Sequence, residues 1–171
     1  MDGRAAVGAR AGSSRSFVTT AKPAPALGGT TLFPPDAGVK NQKKRERRAD
    51  VLSYTCEELT EPVTIAGRPS VRLSIEGDPG PWFVRLCDVS LSGKSVNICD
   101  GVTGASPVGE VEITLSPAAH VLLPGHRLRL QVSADASPSY AAAPACSRRT
   151  ILDVPERRSV LTLPTIAGVS A

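Results

Sequence analysis

His120 and His126 stand six residues apart around Pro124-Gly125, and Asp88 and Asp100 are carboxylates that could orient either ring. An imidazole held by a carboxylate is the general base of a serine hydrolase when a serine hydroxyl lies beside it. In an α/β-hydrolase that serine sits in a G-x-S-x-G turn between a strand and a helix, and no such pentad occurs here. Gly93 and Gly104 lie near serines without that spacing or a following helix. A triad built on either of the two histidines therefore has no local signature here. Without a nearby Cys or Glu they do not form a standard zinc set either. Asp88, Asn97 and Asp100 offer oxygens of the kind calcium takes, but such residues more often cap turns, which is the reading adopted.

The four cysteines, Cys56, Cys87, Cys99 and Cys146, contain no C-x-x-C pair, so neither a zinc knuckle nor a thioredoxin-type site is indicated. Cys87 and Cys99 are equidistant from Gly93 and would face each other across a hairpin turning there. In the cytoplasm, the compartment expected here, they read as reduced, small apolar side chains. No glycine-rich phosphate loop precedes a helix. The sequence thus assigns no catalytic, cofactor-binding or metal-ligating residue.

These residues need a frame, and the sequence supplies strands. From His126 to Ser133 the chain alternates, with Arg127 and Arg129 on one face and Leu128, Leu130 and Val132 on the other. Period two places alternate side chains on opposite faces of a strand, and Pro124-Gly125 marks the turn before it. The expected strand has one buried aliphatic face and one wet, basic face. Val71, Leu73 and Ile75 alternate likewise, as do Val96 and Ile98, and Val111, Ile113 and Leu115. Trp82 to Val89 is apolar on both faces in part, which suits the inside of a sandwich. Asp100-Gly101 reads as a turn. Arg149 to Val154 and Ser159 to Leu163 read as closing strands.

About eight short strands and no stretch fit for a stable helix predict an all-β sandwich. The expected core is Val71, Leu73, Ile75, Val84, Leu86, Val96, Ile98, Val111, Ile113, Leu115, Leu128, Leu130, Val132 and Leu163.

Of the 171 residues, 41% are hydrophobic but only 4% aromatic, and Gly and Pro contribute 15 each. No apolar run approaches the ~20 residues that cross a bilayer, so no membrane partner is expected. Residues 1–49 lack apolar periodicity, carry Pro23, Pro25, Pro34 and Pro35, and read as an irregular or disordered lead-in and connector. The first fifteen residues have a transit-peptide-like composition but no apolar segment of the secretory kind. Lys40 to Arg48 is basic, yet no aromatic interleaves it to stack bases, so it reads as a solvated connector and no nucleic-acid partner is expected. Packed structure is expected from Asp50, with a β domain over residues 50–165 and a tail over 166–171.

Three segments carry a resemblance: FVRLCDVSLSGKSVNICDG (Phe83 to Gly101), PAAHVLLPGHRLRLQVS (Pro117 to Ser133) and DVLSYTCEELTEPVTIAG (Asp50 to Gly67). A looser match runs through PALGG (Pro25 to Gly29) back to SFV (Ser16 to Val18). They resemble the C-terminal domain of the X-Pro dipeptidyl-peptidase and cocaine-esterase family of serine hydrolases. The resemblance implies a jelly-roll sandwich, distantly like galactose-binding domains, that packs on an α/β-hydrolase domain bearing a Ser-His-Asp triad. It also implies cleavage of X-Pro dipeptides, or of esters and amides of small acids, by the whole enzyme. The chain departs from the pattern in lacking the hydrolase domain and the first strand ahead of Ser16. Its Val102 to Pro107 segment holds no arginine, and SPSYAAAPACSRR replaces an aromatic, Asn-rich loop.

The expectation is therefore a non-catalytic domain, a fragment or diverged copy inactive alone. Its partners would be an α/β-hydrolase domain, in trans or lost, and a second copy meeting it at unpaired strand edges. The alternative is a stand-alone jelly-roll module binding a carbohydrate or peptide, against which the scarcity of aromatics counts.

Overall fold

The computed structural model describes residues 14–29, 36–105, 108–154 and 157–166. The leading residues 1–13, Pro34-Pro35, Pro107 and the tail from 167 lie outside the described residues.

The described chain is an antiparallel β-sandwich. One sheet runs β1 (Arg15–Val18), β10 (Arg148–Leu152), β4 (Ser70–Gly77) and β11 (Val160–Thr162), with β7 (Val108–Thr114) on the other side of β4. The facing sheet runs β2 (Val51–Thr55), β9 (Arg127–Ser133), β5 (Gly80–Val89) and β6 (Ser95–Ala105). A third sheet is made of β12 (Thr165–Ile166), β3 (Val63–Gly67) and β8 (Ala118–Leu122). The helix α1 spans only Lys43–Glu46. Among the described residues no helix is long and apolar enough to cross a membrane.

The alternating rows form the core because every second side chain of each strand faces the opposite sheet. Val71, Leu73 and Ile75 of β4 meet Val84 and Leu86 of β5 and Leu128, Leu130 and Val132 of β9 in one apolar cluster. Phe17 of β1 lies edge-on to Trp82, with ring centroids 6.1 Å apart, and both are buried. Leu52, Ile65, Leu122, Ile151 and Leu161 join the same cluster. A buried aliphatic side chain of this kind contributes about 1.5–3 kcal/mol.

The inward face of β6 differs from expectation. Cys99 joins the core, whereas Val96 and Ile98 are only half-buried, and the buried Ser95 and Asn97 face outward beneath residues 40–46. The cause is a bulge: Leu86 pairs with Cys99 but Cys87 pairs with Asn97, leaving Ile98 without a partner. Cys87 and Cys99 consequently do not face each other, and all four cysteines are free. Asp100-Gly101 is no turn either; it lies within β6, opposite Arg85 and Val84.

Packed structure also begins well before Asp50. β1 pairs with β10, and Ala24, Ala26, Gln42 and Arg45 are all buried. This segment lies over the outer face of β9 and β5. The face expected to be wet keeps Arg127 exposed, but Gln131 and Ser133 are fully buried beneath it. Side-chain hydrogen bonds hold much of the segment down, with only Ala26 against Phe83 and Ala136 as an apolar contact over this face, so hydrophobic periodicity carried no sign of it.

Candidate functional site

β5 continues its inward row past Val84 and Leu86 to Asp88, which stands opposite Leu128 in the register with β9. There the row ends in a carboxylate. Its Oδ2 lies 2.9 Å from His120 Nε2 on β8, and its Oδ1 lies 2.6 Å from His126 Nδ1 just before β9. The Asp88 side chain is 9% exposed, against 18% for His126 and 30% for His120. The β8–β9 turn at Pro124-Gly125 places the two rings. Gly125 sits at φ 80°, and a Cβ there would come 2.7 Å from Leu91 Cδ2, so the turn packs directly on the β5–β6 hairpin.

The arrangement joins Asp88 to both histidines, a pairing the sequence left open. It does not build a triad. Both carboxylate oxygens are taken, and among the described residues neither ring is hydrogen-bonded to a serine or cysteine. What it can do chemically is tie the end of one sheet to the third sheet through two ring N–H donors on one anion.

Asp100 lies elsewhere. It accepts from Arg85 Nη2 at 2.9 Å, in a pair that is 6% and 1% exposed. Asn97 receives the Lys40 amide at 2.8 Å and Gln42 Nε2 at 3.2 Å. Asp88, Asn97 and Asp100 thus each serve a different contact and do not converge on a common point. Among the described residues no cluster of three or more His, Cys, Asp or Glu could hold a metal ion.

The residues that sequence reasoning missed lie within and beneath residues 24–29 and 36–48. Arg45 donates through Nε to Gln131 Oε1 at 3.1 Å and through Nη1 to the Pro25 carbonyl at 2.7 Å. Its Nη2 donates to Ser133 Oγ at 2.5 Å and to the Asp135 carbonyl at 2.8 Å. Arg85 donates to the Leu27 carbonyl and to Gln42 Oε1. Both guanidinium groups lie over the Phe83 ring. Burial first, and the neighbouring Arg85 cation second, push the Arg45 pKa down to about 9. Glu46 closes the network, bonded to Ser95 Oγ, to Gln131 Nε2 and to Arg129 Nη1, the last at 2.6 Å. Arg48 pairs with Asp50 at 2.6 Å. Two arginines of the basic run are thus engaged, Arg45 buried and Arg48 paired with Asp50, while Lys43, Lys44 and Arg47 stay exposed. One signal was available, since Phe83, Cys87 and Val89 make the outer face of β5 too apolar to stand in water.

Comparison with known proteins fits this frame. The family model described as the X-Pro dipeptidyl-peptidase C-terminal non-catalytic domain matches residues 4–158. The cocaine esterase of Rhodococcus sp. (strain MB1 Bresler) is 35% identical over 137 residues, covering 70% of this chain and 24% of the esterase. The chain thus spans about a quarter of that relative. An α-amino acid ester hydrolase shares the fold at TM-score 0.76 and 23% identity, over 90% of this chain and 32% of the hydrolase. So does an aminopeptidase from a marine sediment archaeon, Thaumarchaeota archaeon, at TM-score 0.79 and 22% identity, over 95% and 34%. With the sandwich built, no triad assembled at its histidines and the family model covering most of its length, the chain belongs to the X-Pro dipeptidyl-peptidase C-terminal non-catalytic domain family.

Proposed function

We propose that this chain serves as the accessory domain of an α/β-type serine hydrolase that cleaves acyl bonds, in esters or amides of small acids or in X-Pro dipeptides. It supplies packing surface and no reacting group. The observation that carries the reading is the 35% identity to a cocaine esterase of which the chain matches 24%. The geometry supports it, because the Asp88 carboxylate has both oxygens bound to imidazoles and presents no base to a nucleophile. The four free cysteines support a cytoplasmic setting.

A docking role needs a surface. Leu91, Val121 and Leu123 are exposed at 74%, 48% and 51%, where the β5–β6 hairpin meets the β8–β9 turn. Apolar side chains grouped at one end support association with the catalytic domain or a second copy. The binding-module reading fares worse. Phe17, Trp82 and Phe83 are buried and Tyr54 and Tyr140 half-buried, which counts against a platform of exposed rings.

The test is hydrolysis of a chromogenic X-Pro dipeptide and a short-chain aryl ester by the purified chain. A serine-directed phosphonate is added in parallel and the intact mass recorded. No turnover and no mass shift are expected, with light scattering showing more than a monomer at tens of micromolar. Turnover with a phosphonylated serine overturns the non-catalytic role. A soluble, folded monomer overturns self-association.

A further inference from the structure

Away from the histidines, the two main sheets part to leave a small cavity. Leu73, Leu130, Ile151 and Leu161 line it, together with Tyr54 of β2 and Asp153, which follows β10. Its volume is about 30 Å³, and it is partly open to solvent. The Tyr54 hydroxyl and Asp153 Oδ2 are buried, and neither has a hydrogen-bond partner among the described residues. Buried polar atoms nearly always have one, and a carboxylate oxygen without one is costly.

Two further polar groups stand nearby, and neither is bonded to Asp153 or to the Tyr54 hydroxyl. Ser159, which also lines the cavity, accepts the Ser74 amide at 3.2 Å. The Arg15 guanidinium lies over the Tyr54 ring at 4.7 Å from its centroid and donates to the Ser53 carbonyl at 2.8 Å. Among the described residues no cation pairs with Asp153.

A ligand head that completes this site must donate to a carboxylate oxygen, donate to or accept from a phenol, and be small. A water-sized group needs about 10–15 Å³ of such a cavity, so there is room for about two. A carboxylate head is repelled by Asp153, and a planar guanidinium exceeds the space. An ammonium with its first methylene fits, and the rest of an aliphatic stem leaves through the open side past apolar walls.

We propose that this cavity binds a primary aliphatic amine as its ammonium ion, with N–H donors on Asp153 Oδ2 and the Tyr54 oxygen and the stem against Leu73, Leu130 and Leu161. The site lies within the accessory domain and is independent of the acyl-transfer reading.

The experiment titrates n-butylammonium chloride into the full chain at constant ionic strength and follows backbone amide shifts. 1-Butanol and butyrate serve as probes with the same stem and different heads. Butylammonium is expected to give saturable shifts in β2, β10 and β11 and to bind about tenfold tighter than butanol, with no binding of butyrate. Asp153→Asn should remove the preference for the amine while leaving butanol binding in place, a selectivity that a merely unfolded cavity would not show. Tyr54→Phe should weaken the amine in the same direction and serves where the Asp153 variant does not fold. The absence of saturable shifts with butylammonium, equal binding of butanol, or an unchanged preference in both variants overturns the proposal.

Discussion

His126 Nδ1 lies 2.6 Å from Asp88 Oδ1, at the point where the inward row of β5 would otherwise continue as core. His120 takes the other carboxylate oxygen at 2.9 Å, so one anion fastens β5, β8 and the start of β9. Hydrogen bonds to a charged group contribute about 1.5–3 kcal/mol each, and partial exposure of the rings puts this pair low in that range. Asp88→Ala, which leaves both ring N–H groups without an acceptor, should cost about 2 kcal/mol in urea unfolding. Asp88→Asn should cost less, because its amide still offers one acceptor oxygen. His126→Ala should cost more than His120→Ala, since His126 is the more buried ring. Equal stability of Asp88→Ala and the parent would show that the cluster fastens nothing.

Arg45 is buried completely and rests on four neutral acceptors, with no carboxylate among its partners. The fork geometry of the guanidinium lets one side chain serve Gln131, Pro25, Ser133 and Asp135 at once. Arg45→Ala leaves those acceptors buried and unpaired and should cost about 3 kcal/mol or more. Arg45→Lys should not restore stability, because an ammonium cannot span the same acceptors. Limited proteolysis reads the local consequence: residues 20–48 should become the first segment cut in either variant. Cleavage elsewhere first would mean that another contact holds the segment.

The thiols of Cys87 and Cys99 are pushed up from 9.0 to about 12, chiefly by burial. An acid whose pKa is raised on folding keeps its proton where the unfolded chain has lost it. Its contribution is complete below pH 9 and declines as pH rises from 9 toward 12. Tyr54, raised from 10.0 to about 12, acts in the same direction. Arg45 opposes them, because a base with a depressed folded pKa favours folding as pH rises above 9. Comparing Cys87→Ala and Cys99→Ala with the parent isolates the thiols, and both variants should lose less stability across that window. At neutral pH a disulfide reagent should modify exposed Cys146 at once and reach Cys87 and Cys99 only as the chain unfolds. Fast modification of either buried thiol in the folded chain would contradict this assignment.

What the sequence shows of this domain is the part built from alternation. β4, β7 and β9 announce themselves because their inward apolar rows alternate with polar residues, and β5 because it is apolar in part on both faces; those inward rows are the core. The cover over residues 131 and 133 has no such signature. It is held by Gln42 and Arg45, residue types that ordinarily mark a surface, and burial of a cation is visible only when its acceptors are in place. The histidine cluster is intermediate. His120, His126 and Asp88 stand out as types, but their meeting joins positions 32 and 38 residues apart on different strands, which no spacing rule reports.

Gly101 has the same character, for its neighbour suggests a turn while the structure puts both residues in mid-strand. The glycine is there because of a close approach. A Cβ at this position would lie 2.6 Å from the Thr114 carbonyl oxygen and 3.2 Å from Leu115 Cα, both backbone atoms that cannot swing aside. Leu115 is fully buried in the core, and Ser116 donates its amide to the Asp100 carbonyl at 2.8 Å, so the segment after β7 is held against β6. Gly101→Ala must push the two backbones apart, disturbing that bond and the packing of Leu115, at about 1–3 kcal/mol. Its backbone has no positive φ that would make alanine unfavourable by itself, so the loss reports the contact alone. Gly104→Ala is the control, since a Cβ there meets nothing within 4 Å. Thermal unfolding should separate the two variants clearly, and equal melting temperatures would show that β6 and the segment after β7 do not approach as closely as described.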